Sequence, residues 1–319
     1  MPRLPLLTAC ACALGLGLLA PHGLAQEAPA RPPPQADNYT FTLPAGPPPS
    51  MPGTGTVQFI GSATVLIRYQ GFTILTDPNF LPRGERIHLG YGMTSERLAA
   101  PAIDFDALPP IDLVILSHLH EDHFDLLVQQ KLRHDIPIVT TPEASERLGQ
   151  LGFRQRYALG RWDSLTVRKG EAHVRITAMP ARHGPRGVTA MLPSVMGSML
   201  DFGSGPAGAA YRIYISGDTL LFDDIGEIPQ RYPDIDLALL HLGGERLLSL
   251  VTVSMTGADG VRMMQLVAPR VTIPVHMDDY GIYKSPLADF DKALRAAGMG
   301  DKAVLLQRGQ VYGFSKAQE

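Results

Sequence analysis

The chain has 319 residues, 28 Lys+Arg against 31 Asp+Glu, and 45% hydrophobic residues. That length suits one large domain or two modest ones around a hydrophobic core. Acids and bases are interspersed and the net charge is -3, which leaves no basic stripe to track a phosphate backbone and argues against a nucleic-acid partner.

The first 25 residues read as a secretory leader. Arg3 is followed by an uncharged apolar run from Leu4 to Ala20, then Pro21 and the small-residue pattern Gly23-Leu24-Ala25. The run falls short of the ~20 residues a spanning helix needs and is bracketed by Pro5 and Pro21, so no stable membrane span is expected after leader cleavage. A periplasmic or secreted protein is the expectation. Both cysteines, Cys10 and Cys12, lie in the leader. The remaining chain therefore binds a transition metal only through imidazole and carboxylate.

Residues 26–52 hold nine prolines between Pro29 and Pro52 and little aliphatic periodicity, the composition of a solvated, partly polyproline linker. From 53 to 319 a single domain is expected. Short apolar runs predict strands at 57–60, 64–69 and 72–75, the last two joined by Gln70-Gly71 as in a hairpin. The irregular stretch 77–110 is too long for an ordinary connection and is expected to rim a pocket. Further strands are predicted at 113–116, 138–140, 174–178, 211–215, 237–240 and 271–273. Helices are predicted over about 123–132 and 143–149, from Thr256 as cap to Pro269, and from Ser285 as cap with Pro286 in the first turn and Gly298 as the stop. This alternation predicts an α/β or α+β domain.

The informative segment is Ser117-His118-Leu119-His120-Glu121-Asp122-His123, directly after the apolar run 113–116. His118 and His120 stand two apart, so in extended chain their side chains leave one face and can grip one cation. A turn into helix then carries Asp122 and His123 toward a second position. Other apolar runs also end in metal-type ligands: 174–178 leads to His183, 211–215 to Asp218, and 271–275 to His276. The bland alternative is a solvated polar turn after one strand, which this recurrence disfavours.

These residues, His118 to His123 with His183, Asp218 in Ser216-Gly217-Asp218-Thr219, and His276, resemble the metallo-β-lactamase superfamily over roughly 53–319. The resemblance implies a four-layer αββα sandwich of two mixed β-sheets with a metal site at one edge. It also implies that His118, His120 and His183 hold one metal, that Asp122, His123 and His276 hold a second, and that Asp218 bridges them. Asp122 and Asp218 would then serve catalysis as well. A hydroxide between two dications roughly 3.5–4 Å apart is the expected nucleophile. Two Zn2+ per chain are the expected cofactors, and Mn2+ or Fe2+ also suit imidazole with carboxylate. Phe59-Ile60-Gly61-Ser62-Ala63-Thr64, Leu75-Thr76-Asp77-Pro78 and Pro180-Ala181-Arg182-His183 are similar to the branch containing ascorbate-6-phosphate lactonase and the N-acylphosphatidylethanolamine-hydrolysing phospholipase D. Its members cleave lactones, phosphodiesters and amides.

Softer candidates surround that set. His241 at the end of 237–240 is either a proton donor to a leaving group or a hydrogen-bonded residue beneath the site. Arg182 and Arg186 flank His183 and either hold an anionic group or lie on the surface. Tyr280 and Tyr283 are candidates to polarise a carbonyl, and Lys284 to meet a carboxylate or phosphate, with loop packing as the alternative. Asp77 is expected to orient loop backbone or a metal-binding histidine. His88, His134 and His173 are expected at the surface, and Met191, Met196 and Met199 either fill core gaps or form an apolar substrate wall. The expected function is an exported metal-dependent hydrolase of an ester, lactone or amide bond in a small-molecule or lipid-like substrate. The alternatives are a phosphodiesterase, which needs a cation such as Arg182 or Lys284 beside the metals, and a noncatalytic metal-binding periplasmic protein.

Overall fold

Side chains alternate along Thr64–Tyr69 so that Val65 and Ile67 enter one apolar cluster and Leu66 another. Along Tyr211–Ile215, Ile213 and Ile215 join the first cluster while Tyr214 enters a third. Period-2 alternation with both faces apolar is the mark of strands covered on both sides. The computed structural model describes residues 39–46, 53–204 and 211–315, so the expected leader and most of the expected linker lie outside the described residues. Those described all fall in one unit.

Two seven-stranded sheets result. The first runs Tyr39–Leu43, Ser164–Lys169, Ala172–Met179, Gly197–Ser204, Tyr211–Ile215, Leu237–His241, Val271–Val275; the last three strands are parallel and the middle ones antiparallel. The second runs Val311–Ser315, Thr54–Gly61, Thr64–Tyr69, Phe72–Thr76, Leu113–Ile115, Ile138–Thr140, Arg156–Ala158, antiparallel up to Phe72–Thr76 and parallel from there. Both sheets are mixed, and their facing sides share the central core of Val57, Ile74, Leu113, Leu165, Ile176, Leu239 and Ile273 among others. Helices Leu126–Lys131 and Pro142–Gln150 cover the outer face of one sheet through Val128 and Leu148. Helices Gly257–Val267 and Leu287–Ala296 cover the other through Val261, Met264, Phe290 and Leu294. This is the αββα sandwich. Among the described residues, no helix is long and apolar enough to cross a membrane.

Local chemistry moves some boundaries. The helix expected from about 123 begins at Leu126 because the Asp125 carboxylate accepts from Val128 N–H at 2.8 Å and caps it there, leaving His120 to Phe124 as a turn. Thr256 caps its helix as expected, in a capping box with Asp259. Ser285 does not cap the following helix; its hydroxyl accepts from Gly257 N–H at 2.9 Å, and Pro286 takes the cap position. Met196 and Met199 are core residues, and Met191 alone is exposed. His88 is exposed, whereas His134 packs on Phe153 and His173 is half-buried in a strand. The stretch 77–110 contains a small hairpin, Arg86–His88 with Thr94–Glu96.

The solvated-linker reading of 26–52 is corrected over Tyr39–Leu43, which forms a strand parallel to Ser164–Lys169. Its alternation is carried by aromatic residues, with Phe41 stacked on Tyr157 at 4.6 Å and 12°. Phe41→Ala should lower unfolding free energy by about 2 kcal/mol. Denaturant midpoints of the two proteins check this, and equal midpoints would mean that the strand adds nothing to the sheet.

Candidate metal centre

Open sheets place ligands outside the carboxyl ends of parallel strands, and here several strands from both sheets end at one edge. Leu113–Ile115 runs out into Ser117 and His118, Tyr211–Ile215 into Asp218, Val271–Val275 into His276, and Leu237–His241 ends on His241 itself. Phe72–Thr76 is followed by Asp77, and Ala172–Met179 leads to His183. Gly217 lets Asp218 approach: its φ is 61° and a Cβ there would lie 2.6 Å from the Met196 carbonyl oxygen. His276 is held in the left-handed region, φ 63°, with its N–H on the Ser62 carbonyl at 2.7 Å, and Asp77 has φ 36°. Such backbone costs of order 1–3 kcal/mol per residue and persists only where the surroundings enforce it.

The structure brings all seven sequence-derived ligands to this edge. His118, His120 and His183 place one ligand atom each within 4.8 Å of one another, and so do Asp122, His123 and His276. His118 Nε2 is 3.0 Å from His120 Nδ1, and His276 Nε2 is 3.2 Å from Asp122 Oδ2. Asp218 stands between the two triads: it groups with His118 and His123, and separately with His183 and Glu245. Its carboxylate is 3.5 Å from His123 Nε2 and 3.4 Å from His276 Nδ1.

Burial sets the protonation states. It drives His118 well below the usual imidazole range, with neighbouring His123 and His120 adding to the effect, and it pushes His120 down to about 3 and lowers His183. All three are neutral near pH 7, the form in which imidazole binds a cation. Burial would also lower His123, but Asp122 and Asp218 outweigh it and raise that imidazole well above its ordinary value. Conversely, burial would raise Asp122 and Asp218, and the His123 and His276 imidazoles beside them hold both carboxyls below the usual range.

The donor set fits metal. Asp122 Oδ1, His123 Nε2, His183 Nε2, Asp218 Oδ2, His241 Nε2, Glu245 Oε2 and His276 Nδ1 are buried without any hydrogen-bond partner. An unpartnered buried polar atom costs about 1–3 kcal/mol, and this cluster is relieved together by cations set among its lone pairs. The outer partners also suit metal. His183 Nδ1 donates to the Val253 carbonyl at 2.9 Å, which turns Nε2 inward. Asp77 accepts from Ser117 N–H at 2.7 Å and lies 3.5 Å from His123 Nδ1, the orienting role expected of it.

The remaining candidates divide. Of the two readings of His241, the geometry matches the hydrogen-bonded residue beneath the site: it is 1% exposed, with Nδ1 3.2 Å from Asp218 and Nε2 3.7 Å from Asp77. Tyr283 does reach the centre, donating to Asp122 Oδ2 at 3.0 Å beside Ser62 Oγ at 2.9 Å; burial and Asp122 keep its phenol protonated. Tyr280 does not: it is 1% exposed, its hydroxyl donates to Asn79, and it packs with Ile87 and Leu89. Lys284 is exposed and turned back on the Gly281 carbonyl at 2.6 Å. Arg182 lies over the Phe222 ring at 4.5 Å, beside a cavity of about 290 Å³ that none of the seven ligands lines, and Arg186 is exposed on the loop after His183. Glu245 was missed from sequence. A single acid after Gly243-Gly244 has no ligand spacing to mark it, yet it is 3% exposed with Oε2 4.0 Å from His183 Nε2. Burial, reinforced by Asp122 and Asp218, pushes its carboxyl well above the ordinary range.

A cleft of about 470 Å³ opens onto this edge at His120, walled by Leu89, Leu119, Leu126, Leu151 and Met191 with Arg147 at its side. His88 to Tyr91 form part of its rim, so the 77–110 stretch does border a pocket.

Comparison with known proteins agrees with this architecture. The family model described as β-lactamase superfamily domain matches residues 73–277. The chain belongs to the β-lactamase superfamily. Within that superfamily, an Archaeoglobus fulgidus protein named UPF0173 metal-dependent hydrolase is 30% identical over 213 residues, 64% of this chain and 83% of that protein. The structure of isothiocyanate hydrolase from Delia radicum gut bacteria superposes with a TM-score of 0.69 at 21% identity, covering 82% of this chain and 99% of that one. A possible metal-dependent hydrolase from Veillonella parvula gives 0.68 at 18% identity, covering 81% and 98%. This superfamily member is thus a hydrolase of the metallo-β-lactamase fold with a metal-binding centre.

Two outcomes are expected. Metal affinity at Asp122–His123–His276 should rise with pH past neutrality, since His123 must shed its proton first. Calorimetric titration across pH, with proton release counted, measures this, and a flat profile at that position contradicts the assignment. His241→Asn should weaken metal binding 10–100-fold and leave the shape of the pH–rate profile unchanged. Loss of one limb of that profile would return His241 to proton transfer.

Proposed function

We propose that this chain is an exported hydrolase holding two divalent cations, zinc first among them, and that it cleaves an ester, lactone or amide bond in a small-molecule or lipid-like substrate. The observation that carries the reading is the buried set of imidazole and carboxylate atoms left without hydrogen-bond partners, grouped with His120, which also lines the cleft. His118, His120 and His183 would hold one cation, Asp122, His123 and His276 the other, with Asp218 between them. When bound, such a pair supplies Lewis acidity and makes hydroxide available at neutral pH.

The chain's own residues account for the rest. The apolar wall of Leu89, Leu119, Leu126, Leu151 and Met191 binds the hydrophobic part of a substrate, and a volume of about 470 Å³ lies within the range of small-molecule sites. Arg147 offers a cation at the side of that cleft for a carboxylate on the same molecule. Tyr283 fixes the Asp122 carboxylate and, as a protonated phenol, presents a donor beside it. Arg182 and Lys284, the cations named for the phosphodiesterase alternative, are both turned elsewhere, which weakens that alternative. A noncatalytic binder would have no need of a cleft reaching His120. Export follows from the leader pattern in residues 1–25.

The test joins metal analysis to a substrate panel. Plasma mass spectrometry of the purified protein should find about two metals per chain, mainly zinc. Hydrolysis should appear with lactone, ester or amide members of a panel that also contains phosphodiesters and β-lactams. Asp218→Ala should lose metal and drop kcat/KM by at least about 100-fold, the upper range seen for groups one shell further out. Preference for phosphodiesters would overturn the bond class, and absence of bound metal after reconstitution would overturn the centre.

A further inference from the structure

We propose that Glu245 is an additional ligand of the cation held by His118, His120 and His183, so that this position has one donor more than its neighbour and a second carboxylate beside Asp218. The inference rests on the two-cation reading above and extends it to a residue outside the seven-ligand set.

Three observations meet on this side chain. Glu245 Oε2 lies 4.0 Å from His183 Nε2, and with Asp218 the three residues place one ligand atom each within 4.8 Å of one another. That oxygen is buried and has no hydrogen-bond partner, although the residue is 3% exposed. Lastly, the backbone is held independently of the carboxylate. Glu245 N–H donates to Ser254 Oγ at 3.0 Å, its carbonyl accepts from Val253 N–H at 2.8 Å, and Gly243 and Gly244 N–H both donate to the Met255 carbonyl at 3.0 and 2.9 Å. The side chain is therefore aimed inward by a fixed frame and is not needed to hold that frame.

The frame also ties Glu245 to His183. Val253, whose N–H meets the Glu245 carbonyl, uses its own carbonyl to accept from His183 Nδ1 at 2.9 Å. One short hairpin, Arg246–Leu247 with Val251–Thr252, thus fixes both the tautomer of a ligand and the carboxylate beside it.

Charge points the same way. Two dications bring four positive charges, of which Asp122 and Asp218 balance two; Glu245 balances a third within a largely buried site. Structural preference follows from the donor type. Zinc favours four ligands rich in nitrogen or sulfur, whereas Mn2+ and Fe2+ accept more oxygen donors and higher coordination. Glu245 should therefore shift this position away from zinc selectivity.

The experiment uses the purified protein, stripped of metal and titrated with Co2+, whose visible d–d absorption falls as coordination rises from four through five to six. Wild type should take up two Co2+ per chain, the one beside Glu245 absorbing more weakly than the other. Glu245→Gln, nearly isosteric, should still bind two, with affinity at one position lowered tenfold or more, a stronger d–d band, and less Mn2+ retained in competition with Zn2+. Circular dichroism checks that the variant is folded. If it is not, the wild-type spectrum decides alone, because two Co2+ ions absorbing equally would overturn the proposal. So would a folded variant with unchanged affinity and spectrum. Wild type that binds no Co2+ would overturn the two-cation reading and the Glu245 assignment together, whereas two bound ions insensitive to Glu245 would overturn only the latter.

Discussion

Six imidazoles and four carboxylates converge where the strands of two sheets run out, and their mutual electrostatics govern the rest of the molecule. In a dry interior an unpaired charge costs several kcal/mol, and like charges side by side cost more. Among the described residues, these carboxylates pair with histidines and with no lysine or arginine. Imidazoles and carboxylates instead titrate one another, which is why His123 is raised while Asp122 and Asp218 are lowered. Lone pairs left over after that exchange face inward. A cluster of this kind is suited to cradle cations, and the surrounding structure keeps it from relaxing into ordinary hydrogen bonds.

That restraint is visible one tier out. Asp77 ties the Ser117 backbone and backs both His123 and His241. Ser62 accepts from His276 N–H through its carbonyl and meets Tyr283 through its hydroxyl. Asp279 in turn accepts from Ser62 N–H at 2.7 Å and is paired with Arg308 at 2.8 Å, which anchors that loop to the chain end near the last strand. Strained backbone at Ser62, Asp77, His276 and Asp278, all at positive φ, marks where the scaffold overrides local preference. The function drawn from the site depends on this rigidity, because metal ligands displaced by even an ångström lose much of their value.

Some of this was legible from residues alone, and the reason is locality. His118, His120, Asp122 and His123 lie within one strand-to-turn segment, so their spacing and their geometry are the same fact. Alternation in 64–69 and 211–215 likewise follows from the two faces of a pleated strand. The linker reading failed at Tyr39–Leu43 because its partner strand lies more than a hundred residues on, and five residues of mixed Tyr, Thr and Phe announce nothing without it. Tyr280, Tyr283 and Lys284 are neighbours in sequence with opposite fates, since a positive-φ turn at Asp278 and the packing of Ile87 and Leu89 decide which side chain faces the centre.

The amino-acid sequence by itself determined the type of chemistry: a chain whose two cysteines both fall in its first 12 residues, with ligand-bearing residues at the ends of successive apolar runs, points to metal held through nitrogen and oxygen. Tertiary structure alone decided which of the remaining polar residues belong to that chemistry. It made His241 a strut, turned Arg182 and Lys284 away, and brought in Glu245, because these roles depend on distances between segments far apart in the chain. Local spacing carries no information about such distances; the packing of two sheets against each other does.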